Sequence, residues 1–423
     1  MTKPVKLSTK RTGPSGFTLI IAATGISGIA SYVVTSIVFG RLDEAQYALF
    51  AGFWSLLYLI VGTLSGVQQE VTRATRPTAA DVATQMGRAR NFGLLGALPV
   101  FGAIMASAPF WVDAAFGDDG WALIWPIALG SASFVLVAVL CGSLYGISQW
   151  MPLALLMTAD ALLRLLAVAS VLLVTDSVVA LAWAVALPFP GAIVVLWVFI
   201  RRSIVGRSQL DAGYRTLTWN VSRTMVAAAA TGVMVSGFPF ILRLTSGAES
   251  AALLGLYVFC ISLARAPLIV VAMSLQSYLV INFRDRSIGF WSFYLKIQGA
   301  VFGAGIVLAG AAWLLGPAVF DWLFADKQVP SGAFLAVLVL SSALVGSMCV
   351  SAPAVLARSK HVVYAAGWVA AAVATVGALL LPVDFTARTV LSLLLGPLVG
   401  LVVYTAYLVR VRRNDGRVPA PTA

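Results

Sequence analysis

The chain has 423 residues, 60% of them hydrophobic and only 10% charged, with a formal net charge of +12 and a mean hydropathy of +0.96. A soluble domain carries roughly 25% charged residues, so this composition cannot coat a water-exposed surface and excludes a soluble globular protein. The solvent that fits is a bilayer, and apolar runs of about 20 residues select membrane helices over the alternating strands of a barrel.

A basic tail over 1–15, with Lys3, Lys6, Lys10 and Arg11, precedes the first apolar run. That run is too long for the apolar region of a cleavable signal peptide, so none is expected. Spans are predicted at Gly16 to Phe39, Tyr47 to Gln68, Phe92 to Trp111, Trp121 to Tyr145, Pro152 to Val174 and Val178 to Ile200. A second set follows at Thr224 to Leu244, Leu253 to Leu275, Ile288 to Leu315, Ala333 to Val350, Val362 to Leu381 and Val390 to Val409. Short links with Gly, Pro or charge separate them. The longest links are Gln69 to Asn91 and Arg201 to Arg223. In the first, Thr78 and Asp81 have capping-box spacing for a short surface helix. The second divides six spans from six. The expected organisation is therefore a bundle over 16–200, a linker over 201–223, a bundle over 224–409 and a C-terminal tail over 410–423.

Orientation follows from Lys and Arg. With both termini on one side, that side holds 21 of the 28 basic residues, including Arg73, Arg76, Arg88, Arg90, Arg201, Arg202, Arg410, Arg412 and Arg413. The opposite links hold Arg41, Arg243, Lys327 and Arg388, together with acids such as Asp43, Glu44, Asp118, Asp176 and Glu249. A multi-pass protein of the cytoplasmic membrane with both termini cytoplasmic is predicted. The positive charge then reads as topology signal and contact with anionic membrane lipid, and its scatter over six links argues against nucleic acid. Cys141, Cys260 and Cys349 all fall in spans, and the single histidine, His361, sits beside Lys360 at a helix edge. No disulfide, metal site or cofactor is expected from such a set.

The halves show a faint repeat. "SIVFGRLDEAQYALF" and "PFILRLTSGAESAALLGLY" each end an apolar span in Arg-Leu, place a Glu after it, and restart on Ala, Leu and an aromatic residue. Arg41 matches Arg243, Glu44 matches Glu249 and Phe50 roughly matches Tyr257. Repeats of an even number of spans keep one orientation, so the halves would be related by a parallel pseudo-two-fold along the membrane normal.

The opening "GISGIASYVVTSIVFGRLDEAQYALFAGFWSLLYLIVGTLSGVQQEVTRATR" resembles that of polysaccharide and lipid-linked oligosaccharide flippases of the MOP superfamily (Wzx-like, with MurJ as a cousin), notably in "GRLDEAQYALF". The eighth span, with a basic residue just before a proline, and the acid-then-Arg pattern of the fifth are also similar to that family. The resemblance implies an all-α integral membrane protein of about 12 transmembrane helices, in two six-helix bundles around a central cavity.

Charges inside spans are the candidate site residues, because a buried charge costs roughly 2.5 kcal/mol or more at the bilayer centre. Asp160 and Arg164 are one turn apart on the fifth span and share a helix face. They form either a self-neutralising structural pair or a cavity-facing pair, in which Asp160 serves coupling and Arg164 binds substrate. Arg265 has no acid one turn away on its own helix, and its fork suits a diphosphate bidentately. An interhelical salt bridge to Asp160 is the structural alternative. Pro267 next to it would weaken the helix as a hinge. Lys296 either lines the cavity or snorkels to the cytoplasmic edge. Gln68, Gln69 and Glu70 either line a cytoplasmic mouth or simply end a helix in water. Arg41 and Arg243 are expected to anchor outer helix ends or to pair with Glu44 and Glu249.

These readings point to a flippase, not an enzyme, that moves a polyprenyl-diphosphate-linked glycan from the cytoplasmic to the outer face by alternating access. Cell-envelope glycosyltransferases or a polymerase would be its partners. The alternatives are a small-molecule exporter of the same fold, a membrane glycosyltransferase using a polyprenyl-phosphate sugar through Asp43 and Glu44, and a scaffold in a cell-wall complex.

Overall fold

A computed structural model describes residues 16–77, 86–205, 208–210, 213–246, 253–265, 279, 283, 289–358 and 360–415. The first half holds α1 (Gly16–Arg41), α2 (Glu44–Ala74), β1 (Thr75–Pro77), α3 (Met86–Ser107), the short α4 (Val112–Phe116), α5 (Gly120–Gly146), α6 (Trp150–Leu172), α7 (Val178–Ala186) and α8 (Pro188–Ile204). After β2 (Ser208–Leu210) come α9 (Tyr214–Gly232), α10 (Phe238–Thr245), α11 (Leu253–Arg265), α12 (Phe290–Leu323), α13 (Gly332–Leu356), α14 (His361–Leu379) and α15 (Phe385–Asp415). Among the described residues, 11 helical runs are long and apolar enough to cross a membrane, with α7–α8 and α9–α10 each counted as one run. The protein is thus an all-helical, multi-pass membrane protein. α11 covers the start of the eighth expected span. Pro267, Thr78, Asp81 and Glu249 lie outside the described residues.

Several helices outrun their apolar stretches. α2 continues to Ala74, α12 to Leu323 and α15 to Asp415, and α9 starts at Tyr214 rather than Thr224. Hydropathy marks where a helix meets lipid, whereas backbone hydrogen bonding continues into water until a breaker intervenes. Helix therefore occupies both ends of the 201–223 linker. Ser208–Leu210 of that linker is clasped to the other long link: β1 pairs antiparallel with β2, Thr75 opposite Leu210 and Pro77 opposite Ser208. The sixth span is broken at Leu187, because Pro188 begins a new helix where its missing N–H costs nothing.

Packing sorts the helices into two bundles. In the first, α1 lies on α6, α2 and α3 on α5, and α6 against α7 and α8. In the second, α12 lies on α13, α14 on α15, and α13 on α15. The main seam between them is α2 against α9–α10. It runs from Glu70 and Asn220, joined at 2.9 Å, to Ser55 and Phe240, joined at 3.0 Å. Lipid offers no hydrophobic gain for helix association, so close approach through small residues carries the seam. A Cβ at Gly66 would lie 2.7 Å from the Met225 backbone nitrogen, and one at Gly255 would clash with the Glu44 carbonyl.

For orientation, the end with the α1–α2 turn is termed the turn end, and the opposite end, rich in arginine, the basic end. Aromatic rings seal the turn end across the two bundles. Phe39 of α1 stacks on Phe259 of α11 with centroids 3.8 Å apart, and Tyr47, Phe320 and Phe324 pack edge-on around them. Lys327, in the link after α12, donates to the Leu42 carbonyl at 2.6 Å, approaches Glu44 at 3.9 Å and lies 5.6 Å from the Phe39 ring centroid. Glu44 is thus paired across the bundles instead of with Arg41, whose Nε bonds Asp176 at 3.1 Å.

Candidate functional site: a central cavity

Beneath the seal lies a cavity of about 360 Å³ between the bundles. That is within the range of small-molecule sites, about 300–1,000 Å³. One wall is α1, through Thr24, Ser27, Gly28, Ser31, Tyr32 and Thr35. The facing wall is α2, through Tyr47, Phe50, Ala51, Trp54, Ser55 and Tyr58. The second bundle contributes Val235, Ser236, Pro239, Ile261, Ser262 and Arg265. The α1 set recurs at helical spacing and presents hydroxyls, and so does the aromatic set of α2. Both stripes are legible as 3.6-residue periodicities once helix is assumed, yet sequence reasoning that looked only for charges passed over them.

Between α9 and α10 the helix widens into a π-turn over Val233–Gly237. Pro239 lacks the N–H that would bond the Val235 carbonyl, and its ring displaces that carbonyl. Side chains from both bundles take up the carbonyls of the widened turn. Ser55 Oγ of α2 donates to the Ser236 carbonyl at 2.5 Å, and Arg265 Nη1 of α11 donates to the Met234 carbonyl at 2.9 Å.

Among the described lining residues, Arg265 is the one with a full charge. It is 4% exposed and lies 4.9 Å from the Phe238 ring centroid, and its Nε and Nη2 have no hydrogen-bond partner. The alternative, an interhelical bridge from Arg265 to Asp160, is not formed here, because Asp160 is occupied elsewhere. Arg164 Nη2 lies 2.8 Å from both Asp160 oxygens, and its Nε donates to the Val185 carbonyl at 3.2 Å. The Arg164 guanidinium also faces the rings of Phe189 and Tyr58, at 4.7 and 5.6 Å. This pair does not border the cavity. Tyr58 stands between the two, lining the cavity and facing Arg164.

The remaining candidates are dispersed. Glu70 is buried, accepts from Arg73 at 2.5–3.0 Å and from Asn220, and so ties α2 to α9. Gln68 is half-buried and Gln69 exposed. Ten residues of helix, roughly 15 Å, separate Gln68 from Tyr58, so these residues sit at the basic end and not in the cavity. Lys296 is exposed on α12, placed to snorkel rather than to line the cavity. Arg243 donates to the Ala115 carbonyl of α4, a tie between bundles where an outer anchor was expected. No group of three potential metal ligands occurs among the described residues.

Together, the helices and the inter-bundle cavity define an all-helical multi-pass membrane protein, and its fold is similar to that of solved MOP superfamily transporters. The inward-facing conformation of a multidrug resistance MATE family transporter of that superfamily superposes with a TM-score of 0.72 at 14% identity, over 95% of this chain and 100% of that one. The outward-facing conformation of such a transporter gives 0.62 at 16% identity, over 95% and 97%. A MOP superfamily transporter from Pyrococcus furiosus Vc1, described as having a binding pocket of reverse polarity that suggests a different function, gives 0.62 at 15%, over 95% of each chain.

By sequence, the chain belongs to the family of the uncharacterized protein Rv1510 of Mycobacterium tuberculosis (strain ATCC 25618 / H37Rv), with 30% identity over 395 residues, 92% of this chain and 90% of that protein. The uncharacterized protein Rv3630 of the same strain is 29% identical over 392 residues, with the same coverage. No protein-family model matches the chain.

Proposed function

We propose that this protein is an alternating-access transporter of an anionic substrate, and that the substrate is a polyprenyl-diphosphate-linked glycan carried from the cytoplasmic to the outer face. The observation that carries the reading is Arg265: two donor nitrogens without a partner in a cavity whose other described lining residues are hydroxyl-bearing, aromatic or apolar, with no carboxylate among them. A buried guanidinium left with free donors is stabilised by an anion, and a diphosphate accepts its fork. An organic cation would meet like charge and no counter-charge. The aromatic seal and the higher similarity to an inward-facing structure are consistent with loading from the basic end, followed by rocking of the bundles about the α2–α9 seam. In this reading the glycan is supplied by envelope glycosyltransferases and used by a polymerase, while the basic end rests on anionic lipid.

A second reading, a small-molecule exporter of the same fold, is favoured by the likeness to multidrug transporter structures, and Arg265 would make its substrate an anion. Proteoliposomes separate the two. Wild-type protein is expected to move a fluorescent lipid-linked glycan to the opposite leaflet, read as protection from an impermeant quencher. Arg265→Ala is expected to slow this by about 10- to 100-fold, the loss of charge-assisted hydrogen bonds of about 1.5–3 kcal/mol, and Arg265→Lys to fall between. Undiminished movement by Arg265→Ala would sink the proposal. Uptake of a soluble organic anion without movement of the lipid-linked glycan would favour the second reading.

A further inference from the structure

We infer that Trp54 of α2, backed by Tyr58, forms a sugar-binding platform, on which the first sugar of the substrate lies while its diphosphate engages Arg265. This rests on the lipid-linked glycan reading above and adds to it a subsite and a chemical selectivity.

The argument starts from the stripe Tyr47, Phe50, Trp54 and Tyr58, one residue per turn along the same face of α2. Its upper members are consumed by packing. Tyr47 is 1% exposed and set in the seal, and Phe50 is wholly buried. Lower down the stripe opens: Trp54 and Tyr58 are only partly buried, and both border the cavity. Their rings stack on each other with centroids 4.8 Å apart and planes 25° from parallel. Tyr58, with Arg164 over its ring, backs the Trp54 indole from one side and holds it rigid, and an indole has only two torsions to order.

The facing wall has the complementary chemistry. Thr35 Oγ donates within α1, to the carbonyls of Ser31 and Tyr32, and Ser27 Oγ donates to Ala23, which leaves their oxygens free to accept. The side-chain hydroxyls of Thr24, Ser31 and Tyr32 border the cavity and hold no hydrogen bond among the described residues. A pyranose ring has an apolar C–H face and a rim of hydroxyls. Its C–H face fits the electron-rich face of an indole, and its rim fits a row of Ser, Thr and Tyr hydroxyls. An aromatic wall, a hydroxyl wall and a cation in one cavity match a sugar with a phosphate substituent. They do not match a simple anion, which has no use for the first two, or a cationic drug, which Arg265 repels.

The test uses purified full-length protein in detergent and two probes with a common anionic lipid part: farnesyl diphosphate, and farnesyl diphosphate carrying N-acetylglucosamine. Wild type is expected to bind the glycosylated probe about tenfold tighter, a difference of about 1.4 kcal/mol. In Trp54→Ala that preference collapses to about unity, because the glycosylated probe loses more affinity than farnesyl diphosphate, and an unchanged melting temperature shows that the variant is folded. Trp54→Phe keeps an intermediate preference, and Arg265→Ala weakens both probes. If wild type does not distinguish the probes, or if Trp54→Ala keeps the preference or weakens both equally, the platform is overturned and the anion site stands. If neither probe binds wild type, or Arg265→Ala binds both undiminished, the parent reading fails and the platform with it.

Discussion

Arg164 and Arg265 are both 4% exposed, yet their surroundings differ in kind. Arg164 has a carboxylate, a carbonyl and two rings to itself, whereas Arg265 has one carbonyl and one ring. Removing one member of a buried pair leaves the other charge uncompensated, at a cost of about 3–5 kcal/mol. Arg164→Ala is therefore expected to lower the melting temperature in detergent well below that of the double variant Asp160→Ala with Arg164→Ala. Equal melting of the single variant and wild type would contradict a structural pair. Because Asp160 already has its partner, Asp160→Ala is not expected to rescue transport in Arg265→Ala. Rescue in the flipping assay would mean that the two residues share a charge balance in a state unlike the one described here. Neither distinction was open to spacing alone. The i,i+4 interval between Asp160 and Arg164 made their pairing legible, but a partner for Arg265 on another helix was a matter of three-dimensional placement.

At the scale of elements, the seal depends on α11 reaching α2 closely enough for Phe259 to stack on Phe39. Gly255 permits this, since any Cβ there meets the Glu44 carbonyl. Gly255→Ala is expected to wedge the turn end apart and shift the population toward an opening on that side. A cysteine placed at Ser31 should then react faster with an impermeant maleimide added from the turn end, against a slow background because Cys141, Cys260 and Cys349 are buried. An unchanged rate would mean that the seal does not depend on this contact. The helices themselves were readable from apolar runs, and their ends were not, for the reason seen at Tyr214 and Leu323: lipid ends where helix need not. The π-turn was foreshadowed only by the Gly-Phe-Pro sequence at Gly237 to Pro239, a pattern that more often starts a new helix.

For the whole molecule, the distribution of arginine and lysine predicts that the basic end and both termini are cytoplasmic. In intact cells, a cysteine at Asp118 is expected to label with an impermeant reagent, and one at Gly206 only after permeabilisation. The reverse pattern would invert the topology and the direction of transport. Composition by itself determined that the chain lives in a bilayer as a bundle of about twelve helices, because backbone satisfaction in hydrocarbon leaves few other solutions. Its apolar runs also singled out Arg164 and Arg265, which are buried, but they included Lys296, which is exposed, and passed over Glu70, which is buried just beyond a span. Which of those charges is spare was decided only by tertiary structure. Neutralising Arg164 takes a single neighbour on its own helix, a local matter, whereas the free edge of Arg265, the hydroxyl and aromatic walls opposite it and the seal above it come from helices far apart in the chain. Their meeting depends on close packing between bundles, and no local pattern encodes that.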